Sequence, residues 1–411
     1  MYNLPGIIKC FIFSSKLVGG NQFFFENFIL FKKNTNIPLI IILILITLAV
    51  FLLNFYNEIL KNYIENPYFF KIFFSDFFLI YKGSEILNQG VNPYEEWLKL
   101  HQVPFFNPPI VFNFFKFISN FEYVFVLKFW LFFLFLSFFL IPLIFFRIFK
   151  IKSKFFFIFL ICFGGISVSV LLTGNLSVIL GCFFATSLYF LSKNKYQHFF
   201  IILSILSLIK FPYLIFFGIP FLTEGIKKEI FIKTFLYLFI VTLIYFSSYY
   251  FNNELFTSWL MSLKFSKYIG DDGDFGRGLF RILNDYFFSS NYLTYVSYFT
   301  ITGIVFIFLI LLYKKTPILK KKDWAIAFSV ITLSMLLPRL KSYDVLITIP
   351  SLFFIIENIN FKVREFSNLF IKFTLFLMLF CWTSPYAPIS LYLTIFLIFA
   401  LNLKFNFIEK K

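Results

Sequence analysis

Long apolar runs separated by short polar segments dominate the chain. Sparsely charged runs occupy residues 37–56, 121–146, 155–172, 176–191, 198–209, 213–222, 231–251, 292–313, 324–337, 343–356, 369–382 and 387–403. A helix needs about 20 apolar residues to cross a hydrocarbon core of about 30 Å. Backbone polar groups at that depth must be satisfied within the element, which a helix achieves alone. The pattern predicts an all-α polytopic integral membrane protein with about 12 transmembrane helices. Runs 198–209 and 213–222 are too short to span comfortably as straight helices. A hairpin of two such helices would thin the bilayer or leave a groove.

Composition points the same way. Hydrophobic residues make up 60% of the 411 positions, 73 of them Phe, against about 45–50% in soluble domains. The formal net charge is +17. Nucleic acid is not the expected partner, because the lysines cluster beside apolar runs, as in loops that face anionic cytoplasmic lipid. Alternation of the runs puts Lys32/Lys33, Arg147/Lys150/Lys152/Lys154, Lys193/Lys195 and Lys227/Lys228/Lys233 on one side. Lys314/Lys315/Lys320/Lys321/Lys322, Lys362/Arg364 and Lys404/Lys410/Lys411 join them. That side is read as cytoplasmic, with both termini on it. The outer side then receives the two longest hydrophilic loops, 57–107 and 252–291, which hold most of the acids.

The expected organisation is a cytoplasmic leader over 1–35, a membrane domain over 36–360, and C-terminal spans with a cytoplasmic tail over 361–411. No cleavable signal peptide is expected at the start, because Lys9, Lys16, Lys32 and Lys33 interrupt it. Cys10, Cys162, Cys182 and Cys381 are scattered and form no C-x-x-C pair, and His101 and His198 are the only histidines. No redox or metal centre is expected from them. Asp272-Gly273-Asp274 has a metal-like spacing but lies in a Gly-rich segment and reads as a solvated loop.

In the first outer loop, residues 75–90 read as a short amphipathic helix, with Ser75 as N-cap and Gly90 just past the end. Asn92-Pro93-Tyr94 reads as a turn, because the residue before Pro avoids the helical region. Pro108-Pro109 opens a further apolar helix at the membrane surface. Asp76 falls in the first helical turn, where the macrodipole alone favours an acid by about 0.3–1 kcal/mol. Tyr94 has a similarly plain account as an interfacial aromatic.

Asp76, Tyr81, Leu87, Gly90, Asn92, Pro93 and Tyr94 form an Asp-Phe…Tyr…Leu-x-x-Gly-x-Asn-Pro-Tyr pattern. It resembles glycosyltransferase family 87, the polyprenyl-phosphate-mannose-dependent mannosyltransferases of the GT-C fold. Later features follow in the family's order from about residue 37 to about residue 360. They are Pro108-Pro109, the turn Gly174-Asn175-Leu176-Ser177, Lys210-Phe211-Pro212, and Pro338 to Tyr343. Asn175 and Ser177 stand where the family has Gln and Asn, and Asn107 where an aromatic is common. These departures bear on acceptor and sugar specificity rather than on the fold.

The resemblance implies a GT-C-like bundle with a structured first outer loop, in the plasma membrane (the inner membrane of a bacterium), its active site on the outer face. Residues 36–360 would be the catalytic membrane domain. It would move a hexose, mannose first, from a polyprenyl-phosphate-linked donor to a glycan or glycolipid acceptor, with no cofactor and no metal. Asp76 would be the general base. Lys210, Arg339 and Lys341 would hold the donor phosphate, and Tyr81, Asn92 and Tyr94 would position the loop. Lys210 interrupts an apolar run, where a lysine costs about 2.5–3.5 kcal/mol at the bilayer centre. The plain alternative is that it snorkels to the interface. The donor's tail would lie in the groove beside it. A transporter or flippase of polyprenyl-linked glycans is the rival reading, and expects midplane ionisable groups and two related halves. A catalytically dead lipid-binding relative is the third.

Overall fold

The computed structural model describes residues 74–101, 105–150, 171, 173–265, 279–287, 290–314, 321–337, 345–358, 394–395 and 397–398. Among these residues every regular element is helical and none is a strand. The predicted leader, the runs at 37–56 and 369–382, nearly all of 155–172 and 387–403, the Asp272–Asp274 segment, Arg339 and Lys341 lie outside the described residues.

Helix α1 (Ser75–Asn88) buries Phe77, Ile80, Tyr81 and Ser84, one face at helical spacing. Ser75 is not its N-cap. The cap position belongs to Phe74, whose φ of 55° and buried ring start the helix one residue earlier without a side-chain cap. Packing of that ring overrides the capping preference of Ser75. The helix ends as the sequence predicts. Gly90, at φ +80°, donates its N–H to Leu87 O (3.1 Å), and Val91 N–H reaches Ile86 O (3.2 Å). This double closure needs a left-handed residue, which glycine supplies without strain.

Asn92-Pro93-Tyr94 is more than a turn, because it starts α2 (Pro93–His101). Asn92 Oδ1 accepts the Tyr94 N–H at 3.1 Å, and Pro93 sits at the first helical position, where its missing donor costs nothing. Helix α3 (Pro109–Phe115) opens on the proline pair as expected. Gly83 marks the crossing of α1 and α3, where an added Cβ would meet Phe112 ring carbons at 2.4, 2.8 and 2.9 Å.

Helix α4 (Tyr123–Phe149) has 27 residues and is one of two described helices long and apolar enough to cross a membrane. Helices α5 (Ser177–Ser192) and α6 (Tyr196–Ile209) are shorter apolar helices; α5 packs on α4, and α6 packs on α5. The run 213–222 is not a simple helix. Phe211–Gly218 winds as a 3₁₀ helix and passes into α7 (Ile219–Glu224). Pro212 and Pro220 each remove a backbone donor, which weakens α-type bonding through this stretch. At about 2.0 Å per 3₁₀ residue and 1.5 Å per α residue, the segment extends roughly 25 Å, further than its length suggests as an α-helix.

Helix α8 (Lys228–Phe251), with 24 residues, is the second membrane-length helix. It is followed by α9 (Asn253–Phe265), α10 (Leu279–Ile282) with a π turn over Leu283–Phe287, α11 (Asn291–Lys314), α12 (Lys321–Met335) and α13 (Ile349–Asn358). Helix α9, from the 252–291 loop, packs on α2 from the 57–107 loop and on α3 just after it. Tyr94, Trp97, Phe105, Phe112, Leu255 and Trp259 form the shared apolar core of that cap. Trp259 Nε1 seals it by donating to Phe106 O at 3.1 Å.

Basic residues meet at the other end of the helices. Glu224 accepts from Lys227 at 2.9 Å and from Lys322 at 2.7 Å, and Lys322 also reaches Asn194 Oδ1. The turns after α5 and α7 and the start of α12 therefore lie together, as the alternation of lysine clusters predicts.

Two glycines give opposite outcomes. Gly83→Ala forces the buried Phe112 ring to move and lowers stability by about 1–3 kcal/mol. Gly303, in α11, has nothing within 4 Å of an added Cβ. Gly303→Ala raises stability slightly, since Gly in a helix interior is less favourable than Ala by about 0.5–1 kcal/mol. Thermal unfolding of the purified chain in detergent reads both, and equal midpoints for the two variants would contradict the α1–α3 crossing.

Candidate functional site

The site grows from a tight turn. Gly174 has φ +68°, and an added Cβ would stand 3.3 Å from Phe74 Cα and from Phe77 Cβ. Its carbonyl accepts the Trp130 indole N–H at 2.8 Å, and the Trp130 ring stacks on Phe77 at 4.5 Å. The turn before α5, the start of α1 and the middle of α4 are thereby pressed together.

Asn175 projects from this turn in two directions. Its Oδ1 accepts the Ser177 N–H at 2.8 Å, and its Nδ2 donates to Asp76 Oδ2 at 2.7 Å. A backbone N–H can only donate, so the carbonyl oxygen must face Ser177 and the NH₂ must face the carboxylate. Val178 N–H also turns back to Asn175 O at 3.4 Å. The N–H groups of Ser177 and Val178, at the start of α5, are therefore both bonded to Asn175, one residue before the cap position at Leu176.

Lys210 arrives from the far end of α6. It is extended (φ −138°, ψ 96°), and its N–H still bonds Leu206 O at 2.8 Å. Its Nζ donates to Ser177 Oγ at 3.0 Å. Tyr245 of α8 fixes this helix end by donating to Ser207 O (3.0 Å) and Leu208 O (3.1 Å). Tyr245 also stacks on Trp259, at 6.0 Å, which connects the end of α6 to the aromatic cap.

Asp76, Asn175, Ser177 and Lys210 thus form one hydrogen-bonded run. Ser177 is buried, while Asp76, Asn175 and Lys210 are half-buried and reachable. The structure brings Asp76 and Lys210, both singled out in the sequence, to one place. Asn175 and Ser177 stood out only as departures from a family turn and had no role of their own. A polar residue right after a left-handed glycine, at a helix start, is the signal that marks them.

Tyr81, Asn92 and Tyr94 build the walls of the loop. Tyr81 OH donates to Phe121 O at 2.7 Å and packs edge-on to Tyr123. Asn92 Nδ2 reaches Ser258 Oγ at 3.0 Å, and Ser258 donates to Glu95 Oε1 at 3.1 Å, which joins the two loops. Tyr94 OH donates to Asn107 O at 2.6 Å. Burial pushes the Tyr94 phenol well above its ordinary range, so it remains a protonated donor. Among the described residues no group of three His, Cys, Asp or Glu could hold a metal ion.

Asn92→Ala removes a helix cap and the tie to Ser258. A cap of this kind is worth about 0.5–2 kcal/mol. The variant melts earlier and is cut faster by protease within α2 and α9. Tyr94→Phe costs about 1 kcal/mol for its lost hydrogen bond. Unchanged proteolysis of Asn92→Ala would separate the two loops.

The chain matches no protein-family model, no curated protein and no solved structure.

Proposed function

We propose that the chain is a multi-pass membrane glycosyltransferase of the GT-C type. It moves a hexose, mannose first, from a polyprenyl phosphate to a glycan or glycolipid acceptor on the outer face of the plasma membrane. The observation that carries this reading is the meeting of Asp76 and Lys210 in one run, on either side of the Gly174 turn. A half-buried carboxylate and an ammonium so connected are a base and an anion partner.

Asp76 accepts the proton of an acceptor hydroxyl as that oxygen bonds to the anomeric carbon. Positioned proton transfer of this kind is worth about 10²–10⁴-fold. The bond from the anomeric carbon to the phosphate oxygen breaks, and the electron pair leaves with the polyprenyl phosphate. Lys210 faces that developing charge, with Arg339 and Lys341 as further cations. A monophosphate carries less charge than a nucleotide diphosphate, so side-chain cations suffice in this mechanism. Tyr81, Asn92 and Tyr94 keep the loop in place over the site.

Apolar faces without protein cover support the membrane setting. Phe125, Phe129 and Phe133 on α4 are 50%, 52% and 51% exposed. Phe231, Phe235, Phe239 and Leu243 on α8 are 57%, 66%, 56% and 49% exposed. These are unbroken stripes at a spacing of four residues, where a water-facing helix would carry charge.

Two experiments test the proposal. In proteoliposomes supplied with radiolabelled sugar on defined polyprenyl phosphates, the wild-type chain transfers label to acceptor. Asp76→Asn lowers turnover by about 10²-fold or more, with donor binding kept. Glu85→Gln, which removes only the half-buried charge partner of Lys82, is mild. Movement of lipid or solute without transfer would overturn the enzyme reading. For topology, single cysteines are placed at exposed Glu95, Asn252, Lys195 and Lys228, with the four native cysteines replaced by Ser. The first two react with an impermeant thiol reagent from outside and the last two do not. Labelling of all four from one side would overturn the orientation.

A further inference from the structure

We infer that Asn175 is the positioning residue of the reaction: its side-chain amide clamps one oxygen of Asp76 and leaves the other, Oδ1, as the atom that receives the acceptor's proton. The inference rests on the transferase reading and goes beyond it by naming what aims the base.

Each link is fixed by the chemistry of its partner. The Ser177 N–H forces the orientation of the Asn175 amide, so the NH₂ group has one direction left, toward Asp76 Oδ2 at 2.7 Å. Among the described residues no other group bonds the Asp76 side chain. An aspartate in the first turn of a helix otherwise has two rotatable bonds and equivalent oxygens. Here one oxygen is held, and the second keeps a fixed place relative to the turn that also carries Ser177 and, through it, Lys210. A single four-residue turn therefore sets both the direction of the base and the position of the cation. Aligned placement of this kind is sensitive, since a shift of about 1 Å costs about 10²-fold.

The competing account is that Asn175 only caps α5. The two accounts part at one substitution. Asp is as good an N-cap as Asn, because capping uses a side-chain oxygen. Asn175→Asp therefore keeps the bond from Ser177 N–H. It removes the donor facing Asp76 and places a second carboxylate 2.7 Å away, where like charges cannot both ionise.

The experiment compares wild type, Asn175→Asp and Asn175→Gln as full chains in proteoliposomes. Asn175→Asp is expected to fold, to melt somewhat below wild type because its carboxylate pair must take up a proton, and to bind donor with an unchanged KM. Its kcat falls by about 10²-fold. Asn175→Gln restores a side-chain amide and recovers part of the loss. Near-wild-type kcat in Asn175→Asp would overturn the inference and leave Asn175 as a cap.

A second readout needs no turnover. A hydrophobic carbodiimide adds to protonated carboxyl groups, and the carboxylate pair in Asn175→Asp must share a proton near neutral pH. Peptide mapping is expected to find several-fold faster labelling at this pair than at Asp76 of the wild type. Equal labelling would show that the two side chains are not in contact, whatever the activity. A wild-type chain that shows this labelling contrast but transfers no sugar would sink the transferase reading and keep the clamp.

Discussion

The seat of the Gly174 turn against the first turn of α1 is the contact on which the remaining arrangement depends. No side chain with a Cβ fits there without displacing Phe74, and few residues other than glycine accept a φ of +68°. Trp130 holds the turn from a third direction, with its indole N–H on the Gly174 carbonyl and its ring on Phe77. Once the turn is seated, Asn175 falls beside Asp76, and Ser177 faces the end of α6. The polar run is thus a by-product of an apolar and steric fit, and its members need not attract one another strongly.

The aromatic cap depends on the same frame. Helix α1 carries Asp76 at one end and, further along, Gly83 against Phe112 of the aromatic cluster. Helix α9 closes that cluster from the second loop, and Tyr245 carries the contact down to the last carbonyls of α6. Asp76, Lys210 and the loop walls therefore belong to one continuous packing unit. A change in the cap reaches Lys210 through rigid aromatic contacts, without a flexible link.

Much of this order was legible in the sequence. The apolar runs located α4, α5, α6, α8, α11 and α12, because lipid or core burial along a whole helix leaves a strong compositional trace. Gly90 announced the end of α1, since a left-handed closing residue has few alternatives. Asp76 and Lys210 stood out as charges at the margins of apolar segments. Short-range competition hid the rest. Ser75 has the right chemistry for a cap, but the burial of Phe74 moved the helix start. Asn92-Pro93 looked like a chain reversal, and the same two residues also begin a helix. Asn175 was invisible as a partner of Asp76, because no local pattern reports a contact between a loop helix and a distant turn.

The eight residues of Phe211–Gly218 carry a consequence of their own. A 3₁₀ helix rises about 0.5 Å more per residue than an α-helix. Rewound as α-helix, the segment would be about 4 Å shorter. Its N-terminal neighbour is Lys210, and its C-terminal continuation ends at Glu224, which two lysines hold in place. The depth of the ammonium is therefore gauged from the opposite end of the bundle, by winding rather than by residue count. The segment acts as a spacer strut, with Pro212 inside it and Pro220 just beyond it in α7.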